Sequence, residues 1–141
     1  DYTVFSAEGS LGANFWTFNQ NPKNRGTPQF AWFTKKEFRQ AMSCLLNRER
    51  IAKQTFRGLA EPKLDFFPPP NPYYNPDIAL QYVYDQGRAL SLLSSIGMTR
   101  DSSGTMRDSA GRAVEFDLSV VSDNTIVNDI ASIIVDECKK V

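Results

Sequence analysis

The sequence predicts a mixed α/β fold (α+β), with helices packed on a small mixed sheet. Three observations carry that expectation. Residues 34–58, 85–97 and 124–138 hold apolar positions at helical spacing. Residues 114–120 alternate, with Val114, Phe116, Leu118 and Val120 set against Glu115, Asp117 and Ser119. Between the first helical stretches and the rest, six prolines fall between Leu59 and Asp77 and exclude regular structure there.

Each element has its own local signals. Asp1 to Ala13 is a polar, glycine-bearing lead-in. The run NFWTFNQ that follows has strand character. Alternation puts Trp16 and Phe18 on one face, and Phe15, Thr17 and Asn19 on the other. NPKNRGTP is turn-rich. Thr34 then reads as the cap of the first helix, with Glu37 reaching back to it and Phe33 and Phe38 as a hydrophobic staple. Phe38, Ala41, Met42 and Leu45 form its apolar face. Asn47 caps a second helix, with Leu46 and Ile51 as its staple and Gly58 as its stop.

The proline-rich stretch reads as an extended loop pinned to a surface by Phe66, Phe67, Tyr73 and Tyr74. Asp85 caps the third helix, whose apolar face is Ala89, Leu92, Leu93 and Ile96, and Gly97 stops it. A hairpin is expected around DSAG, between Arg107 and Glu115, and then the alternating strand. Asp123 or Asn124 opens the last helix, with Val127, Ile130, Ala131, Ile134 and Cys138 as its buried stripe.

Composition bounds the function. The chain has 141 residues, enough for one domain with a real core. Sixteen basic and sixteen acidic residues give a net charge of zero. That balance offers no electrostatic case for nucleic acid or an anionic membrane. No apolar run approaches a membrane span. There is no histidine, which removes the commonest general base and metal ligand. Cys44 and Cys138 match no zinc spacing and sit on helical, apolar stretches, so two buried thiols are expected rather than a disulfide or redox pair. No nucleophile elbow, Walker loop or dinucleotide fingerprint is present, so neither an enzyme nor a cofactor is expected. The loop RDSSGTMRD lacks the dense aspartates of a calcium site, and no metal is expected there. The absence of an initiating methionine, and an end on DECKKV within a helical pattern, suggest a piece of a longer protein.

The ordered segments resemble one family. FRQAMSCLLNRERIAKQTFRGLAEP is similar to the helix pair of bacterial extracellular solute-binding proteins of family 5, which serve peptide, dipeptide and nickel ABC transporters. FNQ stands where that family has FNT. PPPNPYYNPDI stands for a loop like PPGSPYYDPDI, and YVYD for YPYDP. ALSLLSSIGM, GTMRDSAGRAVEFDLSVVSDN and IASIIVDECKKV also have counterparts, so the likeness runs from about Asn14 onward. Val83 and Gln86 replace common prolines, which should loosen the start of the third helix.

The resemblance implies a periplasmic-binding-protein-like lobe: residues 1–141 as a single domain within the second, C-terminal lobe of a two-lobed receptor. The implied partners are an oligopeptide or other small solute and an ABC transporter permease. The implied location is the periplasm or the extracellular space, with the full-length protein free or lipid-anchored. A receptor for nickel, a sugar or another solute, or a signalling domain on the same lobe, are the alternatives. In the family the strand matching Asn14–Gln20 borders the cleft. Thr17 is therefore the expected polar ligand contact, with Asn19 beside it and Trp16 or Phe15 as a wall. The competing expectations place Trp16 and Phe18 in the core, leave Thr17 and Asn19 as ordinary strand-end polarity, and make Lys35, Lys36 and Arg39 a plain wet face.

Overall fold

The computed structural model describes residues 14–62, 67, 71–75 and 82–141. The Asp1–Ala13 lead-in, Phe66 and most of the proline-rich loop lie outside them. Helix formation starts earlier than the sequence suggests. Asn21 caps a short 3₁₀ turn, Pro22–Asn24. A first helix, α1 (Pro28–Phe33), follows at once. Its start signal is the pair Thr27–Pro28. The Thr27 hydroxyl accepts the Phe30 N–H at 3.2 Å, and proline at the first helical position gives up no needed donor.

This helix displaces the expected capping box. Thr34 has helical backbone, φ −76° and ψ −17°, because it ends α1. An N-cap needs extended backbone. Thr34 instead sends its N–H and its hydroxyl back to the Phe30 carbonyl, at 3.1 and 2.8 Å. The next helix, α2 (Lys36–Leu45), begins from Lys35 with no side-chain cap. The expected Phe33–Phe38 contact is made, with ring centroids 5.7 Å apart.

Helix α2 buries Phe38, Ala41, Met42, Cys44 and Leu45. Helix α3 (Arg48–Gln54) starts at Asn47, whose carboxamide oxygen accepts the Arg50 N–H at 3.0 Å. Gly58, at φ 78°, turns the chain beyond it and donates to the Ala52 carbonyl at 2.9 Å. Helix α4 (Gln86–Ser95) is capped by Asp85, whose carboxylate accepts the Arg88 N–H at 2.8 Å. The Asp85 N–H also donates to the Cys44 carbonyl at 2.9 Å, so one residue starts α4 and closes α2. Helices α2 and α4 share the largest contact in the fold. Gly97, at φ 79°, ends α4. A Cβ there would sit 3.1 Å from that of Ser109, which favours glycine for space as well as for backbone.

The sheet is smaller than expected. Strands β1 (Thr99–Arg100) and β2 (Met106–Arg107) pair antiparallel, with Thr99 opposite Arg107 and Arg100 opposite Met106. The sequence reading missed this hairpin. Its turn is built on Asp101, whose carboxylate accepts the N–H groups of Ser103 and Thr105 at 2.8 and 3.1 Å. The expected turn at DSAG forms, with a single bridge from Arg107 to Ala113 beyond it.

The strand expected at 114–120 does not form a ladder among the described residues. Its faces alternate as far as Leu118, with Val114, Phe116 and Leu118 half-buried and Glu115, Asp117 and Ser119 exposed. Val120 breaks the pattern at 39% exposed. The side-chain period is present, but after Val114 N–H bonds the Met106 carbonyl no neighbour among the described residues continues the pairing.

Helix α5 (Thr125–Cys138) is capped by Asn124, whose side chain accepts the Val127 N–H at 3.2 Å. Of its expected stripe, Ile134 is buried and Val127, Ile130, Ala131 and Cys138 are half-buried, while Ile133 and Glu137 are buried as well. The core joins Trp32 of α1 to Phe38, Met42 and Leu45 of α2, Ala89 and Leu93 of α4, and Met98. Both cysteines are free thiols. Burial pushes Cys138 up to about 11 and raises Cys44 too, which makes both poor nucleophiles.

Candidate functional site

Residues 14–20 lie extended along the edge of this core without a strand partner among the described residues. Trp16 and Phe18 hold them there. Their rings sit 4.7 Å apart. Phe18 lies 5.2 Å from Phe33 of α1 and 5.8 Å from Phe38 of α2. Both rings reach Phe116, at 6.3 and 6.4 Å. Tilted and edge-on rings at these spacings are the favoured aromatic geometries. The cluster therefore fastens both extended segments, 14–20 and 114–118, to one helical layer.

That docking sorts the site residues named from sequence. Trp16 faces the cluster. Thr17 and Asn19 face the opposite way and are exposed, together with Phe15 at 72%. The three proposed contacts thus do not converge; two share a face, with Phe15 as the apolar member, and Trp16 backs them. Asn19 has a local task. Its carboxamide oxygen accepts the Asn21 N–H at 3.0 Å, shaping the turn that follows. Thr17 makes no hydrogen bond among the described residues.

Arg39 was expected on the wet face with Lys35 and Lys36. The two lysines are exposed, but Arg39 is half-buried. Its Nη1 donates to the Phe33 carbonyl at 2.8 Å and to Gln20 Oε1 at 3.1 Å. No sequence periodicity signals that pairing, because Gln20 and Arg39 lie on different elements.

Two buried carboxylates brace the frame around this edge. Asp108 Oδ2 accepts Trp32 Nε1–H at 3.0 Å and pairs with Arg112 at 2.8 Å. Burial opposes its charge, but Arg112, the Trp32 indole and the backbone N–H groups of Ala110 and Arg112 outweigh that and hold its pKa at about 2. Glu137 is fully buried. It accepts from Arg50 at 2.8 Å, Lys140 at 2.7 Å and the Tyr84 hydroxyl at 2.5 Å. Burial again opposes the charge, and Lys140, Tyr84 and Arg50 overcome it, giving about 2. The network ties α3, the approach to α4 and the end of α5 together. Both oxygens of each carboxylate are engaged by partners within the fold, which gives them a structural role.

Other features carry less. A cavity of about 70 Å³ between α2, α4, β2 and α5 is lined by apolar side chains such as Leu45, Leu93, Met106 and Cys138. It falls well below the roughly 300–1,000 Å³ of ligand pockets. No group of three or more Cys, Asp or Glu among the described residues could hold a metal. No helix among them is long and apolar enough to cross a membrane. In the proline-rich loop, Phe67 and Tyr73 lie ring to ring at 5.9 Å with Tyr73 77% exposed. Tyr73 therefore does not act as the expected pin.

Comparison with known proteins converges on one group. A probable ABC transporter-binding protein of Deinococcus radiodurans is 31% identical over 137 residues, 96% of this chain and 23% of the relative. The oligopeptide-binding protein AppA of Bacillus subtilis, solved in complex with a nonapeptide, superposes with a TM-score of 0.73 at 25% identity, over 88% of this chain and 23% of that one. An oligopeptide-binding protein of Thermus thermophilus, solved with a pentapeptide, gives a TM-score of 0.64 at 28% identity, over 75% of this chain and 18% of that one. The chain thus spans less than a quarter of the length of each relative. The family described as bacterial extracellular solute-binding proteins, family 5 (middle), matches over residues 1–141. The chain belongs to that family.

Proposed function

We propose that this chain is one domain within the second, C-terminal lobe of a peptide receptor that delivers its cargo to an ABC importer. The observation that carries the reading is the agreement of family and fold: two structural neighbours bear bound oligopeptides, and the extended segment 14–20 turns Thr17 and Asn19 outward, exposed and without a strand partner among the described residues. Extended peptides are commonly held through their backbone against such an edge. Thr17 supplies a polar contact on that face, Asn19 its carboxamide N–H groups, and Phe15 an apolar wall. Trp16 and Phe18 fix the segment from behind. Ligand capture follows from lobe closure, the bound peptide favouring the closed state by contacting both lobes. The family is one of extracellular binding proteins. The receptor accordingly works in the periplasm or outside the cell, free or lipid-anchored, beside its permease.

Calorimetry on the full-length protein with a pool of random pentapeptides tests the reading. Heat of binding and a raised unfolding temperature are expected. Neither heat nor stabilisation with any peptide would contradict it and shift the case to nickel, a sugar or another small solute. Thr17→Val is expected to weaken binding about three- to tenfold, the worth of one hydrogen bond.

A further inference from the structure

Ring contacts set which face of segment 14–20 points inward, but they fix its position along its own axis only loosely, because apolar attraction is non-directional. The Asn19–Asn21 bond moves with the segment and adds no external reference. Arg39 does add one. Its Nη1 carries two hydrogens, one directed to the Phe33 carbonyl at the end of α1 and the other to Gln20 Oε1 at the end of the segment. The nitrogen bridges the helical layer to the extended chain.

We propose that Arg39 is a positioning residue for the ligand face: through Gln20 it sets where the chain carrying Thr17 and Asn19 lies against α1 and α2. The inference rests on the reading of that face as ligand-facing. The lever is short. Thr17 is three residues from Gln20, about 10 Å along an extended chain. A shift along the axis of half a residue rise, about 1.7 Å, takes a hydroxyl out of hydrogen-bond reach of a fixed ligand while the ring contacts keep the same face inward. A charged donor holding a neutral amide is stronger than a neutral pair and more directional than a ring contact.

The test uses the full-length receptor and a random pentapeptide pool. Arg39→Met keeps the apolar stem and removes the donors. Gln20→Leu removes the acceptor at an exposed position, where folding is safe. Each is expected to weaken peptide binding about five- to tenfold, with Arg39→Lys restoring part of the loss. The decisive readout is the double variant. Because both changes break the Arg39–Gln20 bond, it should bind no more weakly than Arg39→Met alone, which also removes the bond to Phe33. A merely structural role for Arg39 would lower the unfolding temperature without coupling to Gln20. Normal binding by Gln20→Leu, or single losses that multiply in the double variant, would overturn the proposal. Weakened binding by Thr17→Val alongside normal binding by Arg39→Met would overturn the positioning role alone. Normal binding by Thr17→Val would remove the ligand-face reading itself.

Discussion

Helix α2 and the extended segment 14–20 meet through Phe38 and Phe18, 5.8 Å apart, yet they stand in opposite states of completion. The helix satisfies its own backbone and buries one face. The segment half-buries one face but has no ladder among the described residues, and segment 114–120 repeats that state past Val114. The difference follows from where each element finds its hydrogen bonds. A helix finds them four residues away, whereas a strand depends on a neighbour. An extended segment that is fixed on one side, with Thr17 and Asn19 exposed on the other, is therefore where a further strand or a ligand can add.

Substitutions can break or sharpen this contrast. Phe38→Ala should cost most, about 3–5 kcal/mol in unfolding free energy, because one ring supports both regions: it touches Phe18 and Phe116 as well as Phe33. A loss under about 1 kcal/mol would mean the extended segments do not share the helical core. Glu137→Gln should cost about 2 kcal/mol, measured by denaturant titration, since it weakens the charge-assisted bonds from Arg50, Lys140 and Tyr84.

The same carboxylates make stability depend on pH. Glu137 titrates at about 2 when folded against 4.5 ordinarily, and Asp108 at about 2 against 3.8. A depressed folded pKa stabilises the protein above the unfolded value. That contribution is lost as pH falls from about 4.5 to about 2. Thermal unfolding across that window should show a falling midpoint, and the Glu137→Gln variant should show a shallower fall. Asp85→Ala should cost about 1 kcal/mol, the worth of an N-cap, read as a lower midpoint in the same titration. Thr17→Val should change stability by less than about 0.5 kcal/mol, being exposed, while still weakening peptide binding. A stability loss as large as that of Asp85→Ala would place Thr17 with the structural residues.

Much of the helical layer is legible from local signals. Asn47 and Asp85 each announce a helix start and accept the expected N–H, and of the two candidates Asp123 and Asn124 it is Asn124 that caps the last helix. Thr34 shows how a local signal fails: its capping pattern is intact, but Thr27–Pro28 starts a helix seven residues earlier and carries Thr34 into helical backbone. The strand faces at Trp16, Phe18, Val114 and Phe116 are legible because side chains alternate regardless of pairing. The ladders are not, because pairing is a property of two segments. Glu137 was unreadable for the same reason. A glutamate in an apolar stripe has meaning only once Arg50 and Tyr84, far away in sequence, arrive beside it. On the candidate face, alternation separates Thr17 and Asn19 from Trp16, but the inward turn of Arg39 toward Gln20 needs the assembled helices.

Hydrogen exchange of the full-length protein, with and without a bound pentapeptide, tests the central claim most directly. Amides of residues 16–20 should gain protection when peptide binds, while those of α2 and α4, already bonded within their helices, stay unchanged. Unaltered exchange at 16–20 in a protein that demonstrably binds peptide would contradict the assignment of this edge as the ligand-facing part of the lobe.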